Sequence, residues 1–129
     1  MLINTYPAIE INLNNGCYSM GWDSGTGKSL LYRKLKSIQN AGLIDKTICC
    51  VSMSEDTELS ILDKLRSKYD LIVVDRFDFK PSESVAECLF SKSAESIILI
   101  DCKDLNLFRP RVLDVVDVTF GREVISVDE

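Results

Sequence analysis

Residues 21–29 read Gly-Trp-Asp-Ser-Gly-Thr-Gly-Lys-Ser, and their types converge on the binding of an oxyanion. Gly25 and Gly27 let the backbone curl so that successive N–H groups point into one concavity. Lys28 adds a positive charge suited to the outer phosphates of a nucleotide, and Ser29 offers a hydroxyl to Mg²⁺. A helix that starts at Lys28 aims the positive end of its dipole at the same anion. The candidate contacts are Asp23, Ser24, Gly25, Thr26, Gly27, Lys28, Ser29 and Leu30. One position departs from the usual G-x-x-x-x-G-K-[ST] spacing: Trp22 stands where the first glycine belongs, and Gly21 comes one residue too early. The Trp22 indole is expected to pack under the loop.

Two carboxylates follow at suggestive places. Asp75 closes the aliphatic run Leu71-Ile72-Val73-Val74, and Asp101 closes the run at 96–100. An acid in the first position can hold Mg²⁺ through water while Ser29 ligates it directly. Asp101 is placed either to orient a water beside the terminal phosphate or as a structural carboxylate. Lys28, Asp75 and Asp101 thus form the candidate catalytic set, with Ser29 and Asp75 as the metal ligands.

Several chemistries are excluded by composition. The chain has no histidine, so neither a Ser-His-Asp nor a Cys-His hydrolase can be built from it. Five cysteines, Cys17, Cys49, Cys50, Cys88 and Cys102, form no C-x-x-C pair and sit mostly in apolar runs; they read as reduced core residues, not zinc ligands. With 15 Lys plus Arg against 20 Asp plus Glu, the net charge of −5 argues against broad nucleic-acid binding. The aliphatic runs are far too short to cross a bilayer and the first residues lack a secretory pattern. A soluble, cytoplasmic protein is expected, forming one domain over 1–129.

The elements that must position these groups can be traced in order. Ile9, Ile11 and Leu13 alternate with polar residues, and Asn14-Asn15-Gly16 then turns the chain, predicting a hairpin into a second strand over 17–22 that delivers the loop. Leu31, Leu35 and Ile38 recur at helical spacing, with Arg33, Lys34 and Lys36 on a solvated face and Asn40-Ala41-Gly42 as the stop. Residues 47–51 suit a buried strand. The helix after it is capped by Asp56 or Thr57 and is expected to turn Leu59, Leu62, Leu65 and Tyr69 inward. Ser84 and Glu87 have capping-box spacing for a short helix over 84–90. After the strand at 96–101 come a loop over 103–110, a short helix from Arg111, and two strands at 116–120 and 124–127 joined around Gly121-Arg122. Alternating strands and helices, with continuous hydrophobicity in the strands, predict a three-layer α/β fold: a mostly parallel sheet with an N-terminal hairpin and C-terminal antiparallel strands. Ligands of such sheets bind at the carboxyl ends of the strands, where the loop, Asp75 and Asp101 all fall.

On these residues the chain resembles the P-loop NTPases, and among them a minimal ATP-binding cassette (ABC) ATPase domain. The stretch IEINLNNGCYSMGWDSGTGKSLL resembles the family's opening through its Walker A loop, LIVVD its Walker B strand, IILID the next strand, and VVDVTFGREVISVD its closing hairpin. The resemblance implies ATP and Mg²⁺ as ligands, nucleotide and metal roles for Gly25, Thr26, Gly27, Lys28, Ser29 and Asp75, and adenine stacking by Tyr6. It also departs from the family. Arg76 occupies the place of the glutamate that polarises the attacking water, the switch histidine would lie near Cys102, and both the LSGGQ-like signature and its helical subdomain are missing. Absence of an N-K-x-D motif leans toward adenine over guanine.

Three functions are compatible with these residues. The first is a Mg-ATP-binding protein with weak or partner-dependent ATPase activity, acting as a nucleotide-gated switch for a protein partner or as a homodimer. The second is a small nucleotide or nucleoside kinase, since Asp75-Arg76-Phe77 resembles an element of such enzymes and Arg109 and Arg111 could close over phosphates. The third is a degenerate domain with Trp22 blocking the loop.

Overall fold

The computed structural model describes residues 1–20, 27–42 and 46–129, except the side chains of residues 27–29. Two short strands, Leu2–Ile3 (β1) and Ala8–Asn12 (β2), precede Gly16–Ser19 (β3) and the helix Gly27–Ala41 (α1). Then come Ile48–Ser52 (β4), Glu58–Lys64 (α2), Leu71–Asp75 (β5), Glu83–Ser91 (α3) and Ile97–Ile100 (β6). Asp114–Val115 (β7), Asp117–Phe120 (β8) and Val124–Asp128 (β9) close the chain, and 3-10 turns follow β5 (Phe77–Phe79) and β6 (Leu105–Phe108).

Five strands form an all-parallel sheet in the order β4-β5-β6-β3-β7. Every residue of β4, β5 and β6 is buried, as the uninterrupted aliphatic runs require of strands covered on both sides. Alternate side chains divide between two cores. Ile48, Cys50, Leu71, Val73, Ile97 and Leu99 pack with Leu31, Tyr32 and Leu35 of α1 and with the second sheet. Cys49, Val51, Ile72, Val74, Ile98 and Ile100 pack with Ile61 of α2, Val85 and Leu89 of α3, and Phe77 and Phe108 of the 3-10 turns. Each such aliphatic side chain contributes about 1.5–3 kcal/mol by leaving water. The second sheet, ordered β1-β2-β9-β8, lies with α1 on the first face.

The α/β class, the mostly parallel sheet and the antiparallel C-terminal pair β8 and β9 agree with the sequence pattern. The predicted N-terminal hairpin does not form as expected. β2 and β3 belong to different sheets, and the turn at 14–16 docks against the segment leading into β6 through Asn15 Nδ2 to Ala94 O (3.3 Å) and Gly16 N to Ser96 O (3.0 Å). Gly16, at φ 154°, makes this change of direction in a conformation that side chains disfavour. The hairpin at this end is instead β1 with β2, and β2 finds its other partner in β9.

The helices carry further corrections. α1 stops where expected, with Gly42 at φ 63° and its N–H on Ile38 O. Lys34 and Lys36 of its basic face are docked as well as solvated, Lys34 on the Tyr6 carbonyl and Lys36 on Glu55. Thr57 caps α2, but Leu59 points to water at 81% exposure; the seven-residue helix buries Ile61 and then Leu65 fully on the sheet, with Leu62 and Tyr69 half-buried against the same core. α3 begins two residues before the expected box: Ser82 Oγ accepts Val85 N (3.1 Å). No helix starts at Arg111. Leu113 and Val116 are buried on either side of β7, and the backbone there joins the edge of the sheet beside β3.

Candidate functional site

Parallel pairing brings the carboxyl ends of β3, β6, β5 and β4 to one edge of the sheet. β3 ends beside β6 at this edge, with Met20 N on Ile100 O (3.0 Å) and Ser19 Oγ on the Cys102 carbonyl (3.3 Å). Because β3 and β4 run the same way, α1 must run back between them, which brings its first residue, Gly27, to the same edge. Gly21, Trp22, Asp23, Ser24, Gly25 and Thr26 lie outside the described residues, as do the side chains of Lys28 and Ser29. Leu30, the last of the candidate contacts, is 46% exposed.

Asp75 is two residues beyond Val73, which faces α1, so the period of β5 returns it to the α1 side, and Asp101 follows the last residue of β6. Since β6 separates β3 from β5, Asp101 stands between the point where the chain leaves β3 and Asp75. Asp75 is 6% exposed. Burial raises its pKa, the Ser52 hydrogen bond opposes this, and the charge of Asp101 adds to the rise, leaving the carboxyl above the ordinary carboxylate range.

Arg76, directly after β5, adopts the left-handed conformation (φ 52°, ψ 51°) that costs a residue with a side chain about 1–2 kcal/mol. Its N–H reaches Asp101 Oδ2 (3.3 Å), Phe77 N reaches Asp101 O (2.9 Å), and its Nε lies 3.9 Å from Asp75 Oδ2. The guanidinium is mostly solvated. Beyond it, Asp78 ties the segment after β5 to the one after β6, accepting Lys103 N (2.6 Å), Asp104 N (3.1 Å) and the Cys102 thiol (3.2 Å). Its burial alone would raise its pKa; these donors, the two amides foremost, hold it below the ordinary value.

Two groups at this edge were not foreseen from sequence. Ser52, at the end of β4, donates to Asp75 Oδ2 (3.1 Å), and Tyr32 of α1 brings a buried hydroxyl to the same face with no partner among the described residues. Ser52 carries the same signal as Asp75 and Asp101, a polar residue closing an apolar run, and that signal could have found it.

Arg109 and Arg111 lie elsewhere. Arg111 is held on α3 by Glu87 (3.0 Å) and the Phe90 ring (4.2 Å), and Arg109 lines a cavity of about 270 Å³ with Phe77, Ala86 and Phe108 on that same opposite face of the sheet. Neither reaches the α1 side. Tyr6 is 82% exposed, and its segment rests against α1 through Lys34.

All five cysteines are free thiols. Burial pushes Cys17 and Cys50 up to about 12 and raises Cys49 and Cys102 as well, so these four are packing groups and poor nucleophiles. Among the described residues no three His, Cys, Asp or Glu side chains gather as a metal cluster, and no helix is long and apolar enough to cross a membrane. No family model matches the chain, no curated protein matches its sequence, and no solved structure matches its fold.

Proposed function

We propose that this chain is a P-loop NTPase-like protein that binds Mg-ATP, hydrolyses it weakly or only with a partner, and acts as a nucleotide-gated switch. The observation that carries the reading is one of placement. β3 ends, and α1 begins at Gly27, at the sheet edge where Asp75 ends β5, with Asp101 just past the end of the strand between, and the sequence of the connection carries the glycines, Lys28 and Ser29.

The residues fit Mg²⁺. This ion takes one or two carboxylates and completes its shell with phosphate and water, so one buried acid at the strand end and a serine hydroxyl suffice, without a three-ligand cluster. Asp75 and Ser29 would hold it. When bound, it neutralises charge on the outer phosphates. Lys28 and the amides of the loop would bind the phosphates, and Asp101 would orient a water beside the last of them.

Slow hydrolysis follows from Arg76. A guanidinium cannot accept a proton from water, and it occupies the position after the metal-binding acid. The bound nucleotide would therefore persist long enough to order its surroundings for a protein partner, either another polypeptide or a second copy. A phosphotransferase is less well supported, since Arg111 is engaged on the other face of the sheet.

Calorimetric titration with ATP, ADP and GTP, each with and without Mg²⁺, tests the reading. It expects Mg-dependent ATP binding that is lost in Lys28→Ala, and phosphate release without an acceptor. Absence of binding at millimolar nucleotide would leave the degenerate domain; phosphate transfer only in the presence of a nucleoside or nucleotide would favour the kinase.

A further inference from the structure

Hydrogen bonds converge on Ser52 to a degree that the end of an edge strand does not require. Its N–H donates to Asp56 Oδ2 (2.8 Å), and its carbonyl accepts Asp56 N (2.8 Å) and Glu55 N (3.3 Å), which fixes the backbone. Its Oγ accepts Ser54 N (3.3 Å), lies 2.9 Å from Ser54 Oγ and donates to Asp75 Oδ2 at 3.1 Å. Since the single hydroxyl proton of Ser52 is directed at Asp75, the Ser54 hydroxyl is the donor in the pair. The result is a polarised chain from Ser54 through Ser52 to the carboxylate.

Both contacts made by Asp75, with Ser52 and with Arg76, engage Oδ2. Oδ1 has no partner among the described residues. A carboxylate anchored by one oxygen cannot rotate freely, so the direction of the other is set. The buried Tyr32 hydroxyl on the same face has no described acceptor or donor, and an unsatisfied group of this kind costs about 1–3 kcal/mol unless something else occupies the space it faces.

We propose that Ser52 is a positioning residue for a divalent cation at Asp75: its hydroxyl holds Oδ2 and thereby presents Oδ1 to the cation and its waters. The proposal rests on the nucleotide reading above. Supporting groups of this kind are worth about 10–100-fold in metal affinity. Ser52 acts on the cation, through Asp75, and not on the phosphates themselves, which fall to the loop.

The test is the ratio of ATP dissociation constants measured in EDTA and in Mg²⁺, which reads the coupling between cation and nucleotide. Ser52→Ala should shrink that ratio about tenfold while ATP affinity in EDTA stays at the wild-type value, and Ser54→Ala, at a half-buried site that folding tolerates, should shrink it less. In an Asp75→Asn background, Ser52→Ala should add nothing. A Mg²⁺ ratio unchanged in both serine variants overturns the proposal, as does a Ser52→Ala variant that loses ATP affinity equally in EDTA and Mg²⁺, or additivity with Asp75→Asn. If the wild-type chain binds no ATP under either condition, the nucleotide reading falls and this proposal with it; Mg-dependent binding untouched by the serine variants removes this proposal alone.

Discussion

Asp75 and Asp78 are three residues apart and sit on opposite sides of the usual carboxylate pKa. Asp75 is raised, chiefly by burial and also by the neighbouring Asp101, with Ser52 partly opposing; Asp78 is lowered because amide donors outweigh its burial. The signs for stability follow. Ionising Asp75 costs the folded state, so its contribution is full below the unfolded pKa and is lost as pH rises through the higher folded value. Asp78 contributes above the unfolded pKa and loses that contribution as pH falls through its lower folded value. In urea unfolding without ligand, Asp75→Asn should therefore gain stability relative to wild type as pH rises above the ordinary carboxylate range. A gain toward acid instead would contradict the assignment. Asp78→Ala should cost about 2 kcal/mol at pH 7, with the deficit shrinking toward acid; a pH-independent deficit would mean that its charge is not what binds the two loops.

At the scale of elements, the sequence was most legible where local patterns and tertiary burial agree. The runs of β4, β5 and β6 are buried from end to end, and Gly42 stops α1 with positive φ. Short helices were less legible. In α2 the apolar residues Leu59, Ile61, Leu62 and Leu65 offer more than one inward stripe, and only packing against the sheet selects Ile61 with Leu65. Ile61→Ala is accordingly expected to cost about 2–4 kcal/mol, whereas Leu59→Lys should stay within about 0.5 kcal/mol of wild type. Comparable losses in both, by denaturant titration, would place the helix on the other face. The cap of α3 illustrates the same limit. Ser82 and Ser84 are equally suited by type, and the choice falls to Ser82, which follows Pro81 and is 8% exposed. Ser82→Ala should cost about 1 kcal/mol and Ser84→Ala almost nothing; the reverse order in thermal melts would restore the cap to Ser84.

For the whole molecule, what the sequence concealed is long-range pairing. β2 pairs with β9, matching Ala8 to Val124 and Asn12 to Asp128, and nothing local to either strand names a partner so far along the chain. The turn signal at Asn14-Asn15-Gly16 therefore reads as a hairpin, although Gly16 carries the chain from one sheet into the other. The candidate site divides likewise. Asp75, Asp101 and Ser52 are visible as polar residues that end apolar runs, although only the hydrogen bond to Asp75 gives Ser52 its role, whereas Asp78 acquires meaning only through hydrogen bonds to another segment. The central claim, that one sheet edge joins a phosphate-binding segment to a buried acid, is tested most directly by isothermal titration of Mg-ATP into the wild-type chain and into Lys28→Ala. The account predicts saturable binding to the wild type and none to the variant under the same conditions; equal heats from the two proteins, or no binding to either at millimolar nucleotide, would contradict it.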